Sequence, residues 1–258
     1  MNYKFDNKEH LHLLDGKPLT GTSSIGNVLT KNLTWWAAEL SAVECLETGE
    51  KIETIREEYL DAVNSGDKKK AIDALQKKYP IFKKARFAHF DKKNKAAKEG
   101  TDLHAELEDY VKAMMRLKPG REWDPKIKPF MLWASENVEE FLASEAHCFD
   151  EDLWIGGITD CVAQLKDGTL AVIDFKSSKE VYTNHLIQAA GYAIQIDRNG
   201  LFSEDGEHSK KLDQKIETLI VVPFGAENII PEVKTDIEAY KLGFKNCVQL
   251  YRLLGLDK

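Results

Sequence analysis

Cysteine is scarce: four residues in 258, at positions 45, 148, 161 and 247, with no Cys-x-x-Cys pair. That spacing fits neither a thiolate zinc site nor a disulfide framework, so the thiols are expected to be reduced core residues of an intracellular protein. No run of about 18 apolar residues exists, and no basic-then-apolar leader opens the chain. A membrane span and secretion are therefore not expected, and a cytoplasmic location is. Internal repeats and low-complexity segments are also missing. Nor is the chain basic overall, since its formal net charge is −7. Any surface for a polyanion must then be confined to one region. With 43% hydrophobic residues the chain can bury a full core, as one large domain or as a core with an added subdomain.

The most informative stretch runs from Trp154 to Tyr192. Two apolar runs, Trp154 to Leu165 and Thr169 to Ser177, flank Lys166-Asp167-Gly168, which predicts a hairpin. Each run carries one acid, Asp160 and Asp174. A loop of residues 166 to 168 sets the two acids opposite each other on one face of the ladder, and the period of two adds Lys176 to that face. A two-residue turn would send the acids to opposite faces. Facing like charges are destabilising, and a divalent cation with hard oxygen ligands would remove that cost, which suits Mg²⁺ or Mn²⁺. Taken alone, the three residues also fit solvated groups on an exposed strand.

With their neighbours, these residues resemble the PD-(D/E)xK nucleases, in particular the RecB-like and lambda-exonuclease-like branch. The carriers are Asp160, then Asp174-Phe175-Lys176, then a helix with Gln188 and Tyr192; upstream lie Gly100-Thr101-Asp102-Leu103-His104 and the acid Glu145. Thr159 stands where the family name has proline. The resemblance covers roughly residues 100 to 195 and implies a restriction-endonuclease-like α/β core, a central mixed β-sheet flanked by helices. It implies His104, Asp160, Asp174, the Phe175 carbonyl and Glu145 as holders of Mg²⁺ or Mn²⁺. Lys176, Gln188 and Tyr192 would serve catalysis, the last two also touching DNA. Some relatives carry an iron–sulfur cluster on clustered cysteines; that pattern is missing, so no cluster is expected.

Residues 3 to 20 read as a hairpin around Asp15-Gly16-Lys17, and Gly21-Thr22-Ser23-Ser24 as the cap of a short helix. Leu33, Trp36, Leu40, Val43 and Leu46 recur at helical spacing, with Trp35 off that face and open to base stacking or to packing. From Asp67 to Lys98 there are twelve Lys/Arg against three Asp, with Phe82, Phe87 and Phe90 interleaved. Lys83, Lys84, Arg86, Lys92 and Lys93 are the DNA-binding candidates of this helical stretch, which equally fits a solvated lysine-rich face. Gly100-Thr101 is expected to break that helix and start another, placing His104 at a positive helix end that keeps its imidazole neutral. Glu108 lies one turn on. Prolines 125 and 129 precede a helix whose apolar face is Phe130, Trp133, Ala134, Val138 and Phe141; residues 144 to 149 follow as a strand. Asn184 is expected to cap the Gln188–Tyr192 helix, which leads by a right-handed crossover to a strand at 216 to 222. A C-terminal helix carries Ile237, Tyr240, Phe244, Cys247, Tyr251 and Leu254.

The expectation is therefore a sheet of about four or five strands in a nuclease core at 100–258, preceded at 1–99 by a hairpin and a helical basic region. The function implied is a metal-dependent DNA exonuclease of phage or bacterial recombination, replication or repair, releasing 5′-phosphates. DNA is the partner, and a single-strand annealing or recombination protein or an oligomer is compatible with it. A nicking or structure-specific endonuclease and a catalytically silent DNA-binding module stay open beside it.

Overall fold

The computed structural model describes residues 1–29, 38, 41–43, 52–64, 68–226 and 229–256. By internal contact the chain forms two units, Met1–Thr30 with Glu99–Lys258, and Lys31–Lys98. The first thirty residues, expected with the basic region, thus belong to the core. Long-range pairing is the reason: Thr20 and Gly21 pair in parallel with Ile155 and Gly156, and the Thr22 hydroxyl donates to the Gly156 carbonyl at 3.0 Å.

In the first unit, β1 (Tyr3–Asp6), β2 (Leu11–Leu14) and β3 (Lys17–Pro18) make a small sheet. Its β2–β3 turn is the expected one, with Asp15 and Gly16 both at positive φ, +48° and +75°. The large mixed sheet contains β4 (Thr20–Gly21), β5 (Val138–Asp150), β6 (Ile155–Leu165), β7 (Leu170–Lys176), β8 (Leu201–Phe202), β9 (Ser209–Lys210), β10 (Ile216–Pro223) and β11 (Glu232–Lys234). Its order is β11-β10-β7-β6-β5-β8-β9, with β4 on β6. This exceeds the expected four or five strands because two- and three-residue edge strands carry no readable alternation. β7 and β10 pair in parallel, joined through the crossover helix Thr183–Asn199. The sheet and its register therefore agree with the hairpin and crossover read from the sequence.

Alternation along β6 and β7 divides the core in two. Cys161, Ala163, Ile173 and Phe175 pack with Leu107, Tyr110 and Val111 of the long helix Pro80–Met114 and with Phe130 and Ala134. Val162 and Val172 meet Leu186, Ala189 and Ala193 of the crossover helix on the opposite face. Each fully buried Val, Leu, Ile or Phe among them stabilises the fold by about 1.5–3 kcal/mol. A central strand covered on both faces is what a nearly continuous apolar run encodes.

Three local expectations are corrected. Gly100-Thr101 lies inside the helix Pro80–Met114 and starts no new one. Glycine is kept there for space: a Cβ at Gly100 would stand 2.7 Å from the Ser177 Cβ. The helix Lys128–Asn137 ends before Val138, so Val138 and Phe141 reach the core from β5. Thr183 opens the crossover helix, and its entry is held by the Tyr182 N–H donating to His185 Nδ1 at 3.2 Å; Asn184 lies within the first turn.

The second unit is helical where described, with Ile52–Asn64, Lys68–Lys78 and the first part of Pro80–Met114. Glu58 accepts from Lys78 and from the Tyr79 hydroxyl, each at 2.7 Å, and Leu75, Ile81 and Ala85 are buried. Among the described residues no helix is long and apolar enough to cross a membrane.

Candidate active site

The site begins at a fork in the sheet. β6 pairs with β7 from Gln164 opposite Leu170 to Cys161 opposite Ile173, and the loop of residues 166 to 168 is closed by the Gly168 N–H donating to the Leu165 carbonyl at 2.9 Å. One step further this register sets Asp160 opposite Asp174, and there the ladder stops. The Phe175 N–H donates to the Asp160 carboxylate at 2.6 Å, so a side chain takes the place of the next backbone acceptor. Beyond the fork β6 turns to β4 for a neighbour. On its other side Ser144 faces Cys161 and Ala146 faces Thr159, a register that puts Glu145 opposite Asp160. Three acids thus form one row across three strands.

Asp174 is buried, with 1% of its surface exposed. Desolvation pushes its carboxyl up to about 6, against the opposing pull of Lys176. The Lys176 ammonium donates to Oδ1 at 2.9 Å. It also lies 2.7 Å from Oδ2, a charge contact without hydrogen-bond alignment, so Oδ2 remains a buried acceptor with no hydrogen-bond partner. Lys176 is on the acids' side of the strand, as the period of two predicts.

His104 arrives from the long helix, its Nε2 at 3.2 Å from Asp160 Oδ1. Its ring stands edge-on to Phe175, 81° between planes at 5.7 Å. The expected position at a helix start, and the lowered pKa that it implied, are both corrected. His104 sits well inside the helix, and its pKa is raised, chiefly by the hydrogen bond to Asp160 against desolvation, with Glu145 and Glu108 adding to the rise. A specific carboxylate partner outweighs the helix dipole, which fades within the first turn.

Glu145 has a left-handed backbone, φ +49°, unusual for a non-glycine residue on a strand. Its carboxyl is raised by burial and then by Glu108. Lys112, one turn beyond Glu108, is hydrogen-bonded to Glu108 and lies 3.5 Å from Glu145. The spacing of four that links His104, Glu108 and Lys112 was readable in the sequence, and Lys112 was overlooked there.

From the crossover helix, Gln188 Nε2 donates to the Tyr192 hydroxyl at 2.8 Å. Tyr192 is 5% exposed, and burial, then Asp174 and Asp160, push its phenol pKa upward. Such burial makes Tyr192 a support behind the acids, leaving the half-buried Gln188 as the member open to a ligand. Two residues missed in the sequence fix that helix. Gln195 Nε2 donates to Thr22 Oγ1 at 2.7 Å, Thr22 donates on to Gly156, and a Cβ on Gly157 would lie 2.6 Å from Thr22 Oγ1 and 2.7 Å from Tyr192 Cε1.

Of the DNA-binding candidates, Lys84 is exposed on the long helix. The side chains of Lys83, Arg86, Lys92 and Lys93, and the whole of Trp35, lie outside the described residues. His147 is buried, its Nδ1 at 3.0 Å from the Tyr3 hydroxyl. Cys148, Cys161 and Cys247 are free and buried. Among the described residues no group of three or more His, Cys, Asp or Glu side chains forms a ready cation cage; the acids are engaged with His104 and Lys176 instead. Compared with protein-family models and with curated proteins, the chain matches none.

Proposed function

We propose that the chain is a divalent-cation-dependent deoxyribonuclease of the PD-(D/E)xK type, acting as an exonuclease and leaving 5′-phosphates. The observation that carries this reading is the meeting of His104, Asp160, Asp174 and Lys176 at the strand fork. The donor set is that of a hard-cation site: two carboxylates, an imidazole and, from Phe175, a backbone carbonyl. Asp174 Oδ2, buried and met by the Lys176 ammonium at 2.7 Å without hydrogen-bond alignment, keeps a lone pair that fits such an ion. His104, Asp160, Asp174 and the Phe175 carbonyl would hold Mg²⁺ or Mn²⁺. A bound divalent ion supplies positive charge against the scissile phosphate and acidifies a water.

The chain's own groups do the rest. Lys176 has three N–H donors and spends one on Asp174 Oδ1, leaving others for a phosphate oxygen or the attacking water. Gln188, anchored through Tyr192, keeps its second N–H for the DNA backbone. His104 must shed its proton to become a ligand, so activity rises with pH through its raised pKa. DNA is the partner, and the lysine-rich second unit is the element that would attract it.

The test is degradation of end-labelled linear and covalently closed circular DNA in Mn²⁺. Linear DNA should be lost from its ends and the circle should survive. Asp174→Ala and Lys176→Ala should each lower the rate by about 10²-fold or more while DNA binding persists. An inactive wild type, or variants as fast as wild type, would defeat the reading. Cutting of the circle would turn it into an endonuclease with the same chemistry.

A further inference from the structure

We infer that the Lys112 ammonium takes the place of a second divalent cation beside the fork, so that the chain works with one metal ion. The inference rests on the nuclease reading above and concerns how many ions the site holds. Glu145, in register opposite Asp160, is in the position from which a third acid would extend the site toward a second ion. Its carboxyl instead lies beside that of Glu108, and Lys112 closes the group, bonded to Glu108 and 3.5 Å from Glu145 Oε2. One ammonium thus already contacts two carboxyls that come from different elements.

A glutamate followed four residues later by lysine is by itself an ordinary helix-surface pair. Two observations separate this one from that pattern. The side chains of Lys112 and Glu108 are 23% and 18% exposed, so the pair is largely shielded. Its third member also comes from β5, on a left-handed backbone at φ +49°, a conformation that costs free energy and needs surrounding contacts to hold it. Lys112 and Glu145 line a cavity of about 500 Å³ together with Ser144 and His147, so both ends of the 3.5 Å contact border open space. An ammonium already there repels a divalent ion and uses the oxygens that would bind it.

Equilibrium uptake of Mn²⁺, followed by the electron paramagnetic resonance of the unbound ion, tests this. The wild type should take up one ion per chain, Lys112→Arg should stay at one, and Lys112→Met should gain a second. Circular dichroism and retention of the first ion show whether the methionine variant is folded. Should it fail to fold, Glu145→Gln serves instead: it should keep the single ion, and loss of that ion would make Glu145 a ligand and overturn the inference. Two ions in the wild type, or only one in a folded Lys112→Met, would also overturn it, with the nuclease reading intact. No ion in the wild type would remove the metal centre itself.

Discussion

Replacing Gly100 with alanine sets two opposing effects against each other at one position. In a helix interior, alanine is favoured over glycine by about 1 kcal/mol. Here the added methyl would stand 2.7 Å from the Ser177 Cβ, whereas carbon atoms in contact prefer about 3.5–4.0 Å. Ser177 has little room to yield, since a Cβ at Gly225 would already lie 2.2 Å from the Ser177 carbonyl oxygen. The helix must therefore withdraw by roughly 1 Å, and overpacking of that kind costs about 1–3 kcal/mol. Repulsion should win, and Gly100→Ala should be less stable than wild type by up to about 2 kcal/mol in urea unfolding. His104 rides on the same helix one turn on, so its 3.2 Å contact with Asp160 should open. The hydrogen bond to Asp160 is the largest cause of the raised His104 pKa, so the imidazole should titrate closer to 6.5, read by NMR with His104→Gln as the assignment control. On the proposed nuclease reading, a displacement of this size in a metal-holding group also costs about 10²-fold in rate. Ser177→Gly removes the opposing atom and should restore both readouts in the double variant. A Gly100→Ala protein that is more stable than wild type, with His104 titrating unchanged, would refute the argument.

Other expectations follow from the same geometry. Asp174 binds its proton more tightly when folded, its pKa rising from 3.8 to about 6. Its contribution to stability is therefore fully present below 3.8 and is lost as pH rises through about 6. That interval corresponds to a loss on the order of 3 kcal/mol, and urea midpoints of Asp174→Asn should be flatter over it than those of wild type. Gly157→Ala should push Tyr192 or Thr22 aside and weaken the fold by about 1–3 kcal/mol, visible in the thermal midpoint; an unchanged midpoint would mean that the strand gives way freely. On the proposed reading, reversing the charge of Lys83 and Lys84 should weaken DNA binding and reduce its salt dependence by about 0.9 per lost phosphate contact. Indifference at both would make that stretch an ordinary solvated face.

Much of the site could be read from spacing because its parts are local. Asp160, Asp174 and Lys176 belong to one hairpin, where loop length fixes which residues face each other, and Gln188 and Tyr192 are one helical turn apart. What could not be read depends on contacts between distant segments. Gly100 resembles a helix break until Ser177 is seen against it. Val138 and Phe141 fit a helical stripe as well as they fit a strand, and only pairing with β6 decides. The His104 proton was assigned from the helix dipole, and a carboxylate some fifty residues away reverses the sign. Thr22 reads in the sequence only as part of a helix cap, and Gln195 carries no pattern; their bond is visible only in the fold.

The bond between those two spans 173 positions of the chain. During synthesis Thr22 therefore waits for most of the polypeptide before Gln195 is there to meet it. Contacts so far apart in order form late and slowly. The brace behind Tyr192 is then among the last pieces to be set, and a truncated product ending before the crossover helix would carry the opening segment without the support that completes the centre.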